Sequence, residues 1–269
     1  MQRAVDTSIA GKNLGSIAAT KGNLARYCHF YPGRIALGFQ TTAEALRAAE
    51  ESGDITSKAY VHSSHGIFSF GMGLLEVAKN HLLKGIEFCE RINEKAWNMN
   101  AHLCLGETYF EIGDFLKAKN YYEKGALLLE QSHLMPSFVG CAKIGVAISR
   151  VMNNEKDVDL ESLYTHSRNN RVKRCEGEIS KYIGEILLKI DDQHISEAEH
   201  WIRKAIEADQ RNRMMFYLGK DYALYAELFK RKGDRLKTQE NLGKAIEIFK
   251  GCGADGWVEK CEKELASIS

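Results

Sequence analysis

His62 and His65 stand three residues apart in a stretch whose apolar spacing reads as helix, the geometry of a two-ligand metal pair. No third ligand stands at a matching spacing. His102 follows His62 by 40 residues, so these histidines are read as marking a repeated position beside a helix–helix contact. Cys28-His29 offers a thiol next to an imidazole, the elements of nucleophile and base. Adjacent helical residues do not face each other, so this pair reads as structural. Gly251, Gly253 and Gly256 surround Cys252, with Cys261 beyond, but no strand precedes them and no Lys-Ser/Thr follows. That turn reads as a helix terminator rather than a phosphate loop. Arg168, Arg171, Lys173 and Arg174 could hold an anion or a nucleic-acid backbone. They lack interleaved aromatics, and Glu176 and Glu178 follow at once, so a solvated turn is the better reading. Arg203-Lys204 and Lys230-Arg231-Lys232 are mixed with acids and read as exposed faces. None of these sets has the spacing of a catalytic, cofactor or metal site, so the expectation is a protein that is not an enzyme and has no cofactor.

The elements that carry these residues are helices. Only Pro32 and Pro136 interrupt 269 residues, so long helices are permitted almost throughout. Charged residues make up 27% with a formal net charge of +1, which disfavours a bulk nucleic-acid binder. The seven cysteines are odd in number and none is spaced as CxxC; they read as reduced, mostly buried residues of a cytoplasmic protein. No apolar run approaches the roughly 18–20 residues that span a bilayer, and the first residues lack a signal-peptide pattern.

The chain repeats itself. Residues 66–91 align with 106–131 at a shift of 40, bringing Gly66 onto Gly106, Gly73 onto Gly113, Ala78-Lys79-Asn80 onto Ala118-Lys119-Asn120 and Lys84-Gly85 onto Lys124-Gly125. Lys204-Ala205-Ile206-Glu207 recurs as Lys244-Ala245-Ile246-Glu247 at the same shift. Together these anchors form the series Ala45, Gly85, Gly125, Thr165, Ala205, Ala245. A glycine inside a helix costs about 1 kcal/mol relative to alanine, so small residues at a fixed period mark close helix approach.

Apolar periodicity predicts a broken segment at 4–31, then helices at 35–51, 57–72, 75–92, 95–112, 115–131, 137–152, 157–168, 172–190, 195–209, 214–232, 235–250 and 255–267. Gly113-Asp114 and Gly233-Asp234 read as a left-handed stop followed by an N-cap. The fourth unit is the weakest, with a short polar second helix, and an irregularity is expected there. Tyr109, Phe115 and Tyr122 are core candidates, as are Tyr217, Tyr222, Tyr225 and Phe229.

Leu105-Gly106, Tyr109, Gly113-Asp114, Ala118, Tyr122 and Gly125-Ala126 fall at the spacings of the tetratricopeptide repeat, which this unit resembles. The unit differs in its 40-residue length, in His102 where tryptophan is usual and in lacking the closing proline. Long repeats of this kind are similar to the C-terminal arrays of bacterial signalling ATPases and adenylate/guanylate cyclase-type regulators. The resemblance implies an all-α, right-handed α-solenoid of about six antiparallel helix pairs. It would comprise an incomplete first repeat at 1–34, the solenoid at 35–252 and a capping helix at 253–269. It implies a scaffold whose concave groove docks a peptide or helix partner, without membrane or nucleic acid. The alternative is a regulatory, oligomerising or ligand-sensing segment of a signalling ATPase or cyclase. By the family's register the groove would present Tyr60, Ser63, Ile67 and Phe70; Asn100, Leu103, Glu107 and Phe110; Lys143, Ala147 and Arg150; and Glu178, Lys181 and Glu185. Lys143, Arg150 and Lys181 would form a basic patch at its middle. The Lys/Asn arrangement that grips a peptide's terminal carboxylate in co-chaperone members is not reproduced.

Overall fold

In a computed structural model, residues 14–30, 32–132, 136–155 and 157–268 are described, and among them there is no strand. The helices are α1 (Leu14–Ala25), running into a π turn (Arg26–Phe30), α2 (Ile35–Ser52), α3 (Ile55–Gly71), α4 (Leu75–Arg91), α5 (Lys95–Ile112), α6 (Phe115–Ser132) and α7 (Pro136–Met152). They continue as α8 (Leu160–Asn169), α9 (Lys173–Ile190), α10 (Ile195–Asn212, after a short 3-10 turn at Asp192–His194), α11 (Met215–Arg231), α12 (Arg235–Cys252) and α13 (Asp255–Ile268). Each helix packs on its sequence neighbour, the densest pairs being α3 with α4, α9 with α10, α11 with α12 and α5 with α6. This is an α-solenoid of helical hairpins. The expected irregularity is α8, only 10 residues long; α7 reaches past it to pack on α9.

Local chemistry sets the helix ends. Gly113 closes α5 at φ 90°, a left-handed conformation that a side chain would strain. Asp114 then caps α6 by accepting the Lys117 backbone N–H at 3.1 Å. Asp54, Asp159 and Asp234 cap α3, α8 and α12 in the same way. The small-residue series lies where hairpin helices meet: Ala45, Ala205 and Ala245 have no exposed surface. A Cβ on Gly125 would come within 2.6 Å of Leu103 Cδ2. Thr165, the one larger member, is only half-buried, on the irregular α8.

The solenoid winds tightly enough for its two ends to meet. Phe30 lies 5.8 Å from Phe216 between ring centroids, and Phe70 lies 5.5 Å from Trp257. The Trp257 indole N–H donates to the Phe70 carbonyl at 2.9 Å, across 187 residues of chain. The backbones touch at Gly73 and Gly256, where a Cβ on Gly73 would come within 2.8 Å of Gly256 Cα. At the centre of this closure the buried Lys220 ammonium of α11 sits 2.7 Å from Glu107 and 3.0 Å from Glu111, both on α5. Lys260 of α13 reaches Glu111 from the rim at 2.9 Å.

Removing one member of a buried ion cluster leaves charge without compensation, at a cost of about 3–5 kcal/mol. Lys220→Met is therefore expected to lower stability by that amount in urea denaturation. Adding Glu107→Gln and Glu111→Gln should recover much of the loss. A Lys220→Met loss below about 1 kcal/mol would show that the cluster does not hold the ends together.

Candidate functional site

Closure leaves a half-open cavity on the concave face, about 690 Å³ when the space open to solvent is counted. Its walls come from most of the chain: Arg26 and Phe30 of the π turn, Ile67 of α3, Asn100, Leu103, Cys104 and Glu107 of α5, Phe138, Cys141 and Ala142 of α7, Arg174 and Glu178 of α9, and Tyr217 of α11. A second chamber of about 500 Å³ adjoins it, reaching Trp97, Met99 and Leu129. Arg26, Asn100, Leu103, Phe138 and Arg174 line both and form the neck between them.

The neck is polar and braced. The Arg26 guanidinium stacks 4.9 Å from the Trp97 ring centroid and donates to Asn100 Oδ1. Arg174 stacks 4.4 Å from Phe138. On the far wall, burial and then the neighbouring Glu107 push the Glu178 carboxyl up to about 7. Glu107 itself is held by Lys220. The cavity thiols are quiet: burial pushes Cys104 up to about 12, and a hydrogen bond with Cys175 together with burial drives Cys141 well above its ordinary value. Neither is a thiolate at neutral pH, so neither is a ready nucleophile.

Among solved structures, a Rap protein complexed with Competence and Sporulation Factor is similar over 95% of this chain and 77% of its own, with TM-score 0.63 and 10% identity. A Rap conjugation gene regulator of a plasmid, in complex with a Phr peptide, is similar over 98% of this chain and 72% of its own, with TM-score 0.58 and 11% identity. The chain is a tetratricopeptide-like α-solenoid. A signal transduction ATPase with a tetratricopeptide repeat sensor, from Pyrococcus horikoshii, matches with TM-score 0.53 and 16% identity; the solenoid covers 96% of its own length and 41% of the ATPase. No family model and no curated protein matches the sequence. Among the described residues no helix of the solenoid is long and apolar enough to cross a membrane.

The structure distributes the expected groove residues over several separate places. Ile67, Asn100, Leu103, Glu107 and Glu178 line the cavity. Ser63 is fully buried, packed against Gly85; Phe70 and Phe110 are core residues against Trp257 and Tyr182. Tyr60 stacks on Trp97 at 5.3 Å. Lys143, Ala147 and Arg150 line a separate depression between α7 and α8, where Lys143 pairs with Glu130 and Arg150 with Glu155. Lys181 is buried over the Tyr182 ring, and burial pushes its neighbour Glu185 upward. Lys143, Arg150 and Lys181 thus share no surface. The repeat register does not carry over to them: α8 is short, α7 packs past it on α9, and Lys143 and Arg150 line the depression beside α8. Arg26, Phe138, Arg174 and Tyr217 were not anticipated as groove residues: three lie outside the register considered, and Arg174 read as part of a solvated turn.

Two titratable clusters sit outside the cavity. His62 and His81 meet Nδ1 to Nδ1 at 3.0 Å, and His65 packs edge-on to His81 while its Nδ1 meets Thr42 Oγ1 at 2.9 Å. Among the described residues no group of three or more His, Cys, Asp or Glu is placed to hold a metal. Burial, with mutual repulsion, lowers both His65 and His81 to about 4. They are neutral in the fold, and their contribution to stability is lost as pH falls from the ordinary histidine value toward 4. Asp209 of α10 and Asp221 of α11 behave oppositely. Both are buried without a donor from the rest of the described protein, and Gly177 lacks the Cβ that would overlap Asp209. Burial raises Asp209 to about 7; burial and the Asp209 charge raise Asp221 well above its ordinary value. Their folded state keeps protons that the unfolded chain releases, so stability is intact in acid and declines as pH rises toward and beyond 7.

Asp221→Asn removes that proton requirement. The variant is expected to melt with wild type near pH 4 and above it at pH 8, the gap widening by up to about 1.4 kcal/mol per pH unit. A pH-independent gap in thermal melts would rule out a protonated pair.

Proposed function

We propose that this protein is a non-catalytic receptor for an extended peptide, bound in the central cavity. The observation that carries the reading is the neck, where Asn100, Arg26 and Arg174 bring donors and an amide into a space otherwise walled by Leu103, Phe138, Ile67 and Tyr217. An apolar cavity with a few convergent polar groups is the usual form of a small-ligand site. An amide at its centre suits the alternating donors and acceptors of a peptide backbone. The Rap structures similar in fold were solved with Competence and Sporulation Factor and with a Phr peptide, which agrees with this reading.

The occupant is read as an extended chain, because a helix has already paired its backbone donors and acceptors internally and leaves none for the polar side chains of the neck. In this reading the role is one of binding: the cavity's thiols are protonated, and of its two acids Glu107 is tied to Lys220 while burial and Glu107 push Glu178 up to about 7. A ligand-sensing arm of a signalling ATPase or cyclase would use the same cavity; the fold likeness to part of a signal transduction ATPase that has a tetratricopeptide repeat sensor supports that variant.

A randomised pool of pentapeptides, passed over immobilised protein and read by mass spectrometry, tests this. Wild type is expected to retain a defined subset. Leu103→Trp, which crowds the neck, should lose at least about tenfold of that retention when read per folded molecule, since Leu103 also packs against Gly125 and the variant is expected to melt lower. Equal retention by the folded variant would place the binding site elsewhere.

A further inference from the structure

Two of the seven cysteines touch at the wall of the cavity. Cys141 belongs to α7 and Cys175 to the first turn of α9, and their thiols are hydrogen-bonded to each other. Both are free thiols. α7 packs directly on α9 past the short α8, and the thiol pair lies in that contact. The two sulfurs differ in access. Cys141 is 7% exposed and lines the cavity, whereas Cys175 is 1% exposed and lies behind it. A small uncharged solute entering the cavity therefore meets Cys141 first and Cys175 only through it.

A thiol in contact with a second thiol has a defined two-electron chemistry. We propose that Cys141 and Cys175 are a redox-responsive site at which a hydroperoxide entering the cavity cross-links α7 to α9. The Cys141 sulfur loses its proton and attacks a peroxide oxygen; the O–O bond breaks, an alcohol (water, from hydrogen peroxide) leaves, and Cys141 becomes a sulfenic acid. The Cys175 sulfur then attacks the Cys141 sulfur, and its proton leaves with the sulfenic hydroxyl as water. In sum the two thiols give up two electrons and two protons, and the hydroperoxide is reduced to alcohol and water. Burial makes the first step slow, because a protonated thiol is a poor nucleophile. The second step is fast, because the partner thiol is already in place at an effective concentration that no solute reaches. The sulfenic acid is thus resolved before a second peroxide carries it further. The cross-link ties Phe138, Cys141 and Ala142 of α7 to Arg174 and Glu178 of α9, two walls of one cavity, so oxidation fixes the cavity's width there. The site uses the cavity as an entrance and does not depend on the peptide-receptor reading.

The full chain is treated with hydrogen peroxide in native buffer, unfolded with N-ethylmaleimide to block the remaining thiols, and digested without reductant for mass spectrometry. The expected main product is a Cys141–Cys175 disulfide that dithiothreitol reverses. Cys175→Ser, confirmed folded by circular dichroism, is expected to hold Cys141 as a sulfenic acid that dimedone traps at least about tenfold more than in wild type, since the resolving thiol is gone. Maleimide on both Cys141 and Cys175 after peroxide, or sulfinic acid at Cys141 in place of the cross-link, overturns the inference. So does a cross-link that joins Cys141 to Cys104 instead, or one that forms only when peroxide is added to the urea-unfolded chain. Equal dimedone trapping in wild type and Cys175→Ser overturns the resolving role of Cys175.

Discussion

One ammonium group, Lys220, closes this molecule. It sits between Glu107 and Glu111 of α5, some 110 residues earlier in the chain, where all three side chains are nearly out of water. Burial works against a charged lysine and against charged carboxylates alike. Here the two carboxylates raise the lysine above its ordinary value, and Lys220 and Lys260 hold Glu111 down at about 2 against the effect of burial. The aromatic contacts around it, Phe30 with Phe216 and Phe70 with Trp257, supply the apolar area that makes closure favourable. The ion cluster supplies its register, because a charge buried half a turn out of place would have no partner.

Closure has a consequence for the inner face. In an open solenoid the first helices of each pair line a wet groove, where charged residues are cheap. In this one the same positions look into a small shared interior, and their polar groups answer to one another. Glu107 serves Lys220 and raises Glu178. Asp209 and Asp221 share a region that Gly177 vacates. The histidines of α3 and α4 meet across their hairpin. The acid pair gains from low pH and the histidines lose by it, so the two clusters oppose each other between about pH 4 and 6.5. The cavity that remains between them is bounded by residues from seven separate elements, and none of those elements makes a site alone.

Much of this was legible in the chain. The 40-residue period and its small residues gave the hairpins, because a glycine or alanine in contact with a facing helix leaves the same mark at every copy. Gly113-Asp114 gave a stop and a cap, since left-handed backbone and N–H acceptance are local demands. Asn100, Glu107 and Ile67 were expected on the concave face from the register of the family that the unit resembles, and they line the cavity. Ser63 and Phe70 carried the same register and are core, since α3 is covered on nearly every side, with Gly85 beneath Ser63 and Trp257 over Phe70. Lys143 and Arg150 carried it too and face a different depression, because α8 is short and α7 packs past it.

The sequence by itself determined the helices, their ends and the faces on which they pair, because these depend on contacts within about 40 residues that repeat at a constant interval. Only the tertiary structure decided that Arg26 and Arg174 meet at one neck, that His81 joins His62 and His65, and that Lys220 finds Glu107. How tightly a solenoid winds is the sum of small rotations at each hairpin contact. No single repeat encodes that sum, yet it fixes which distant residues become neighbours.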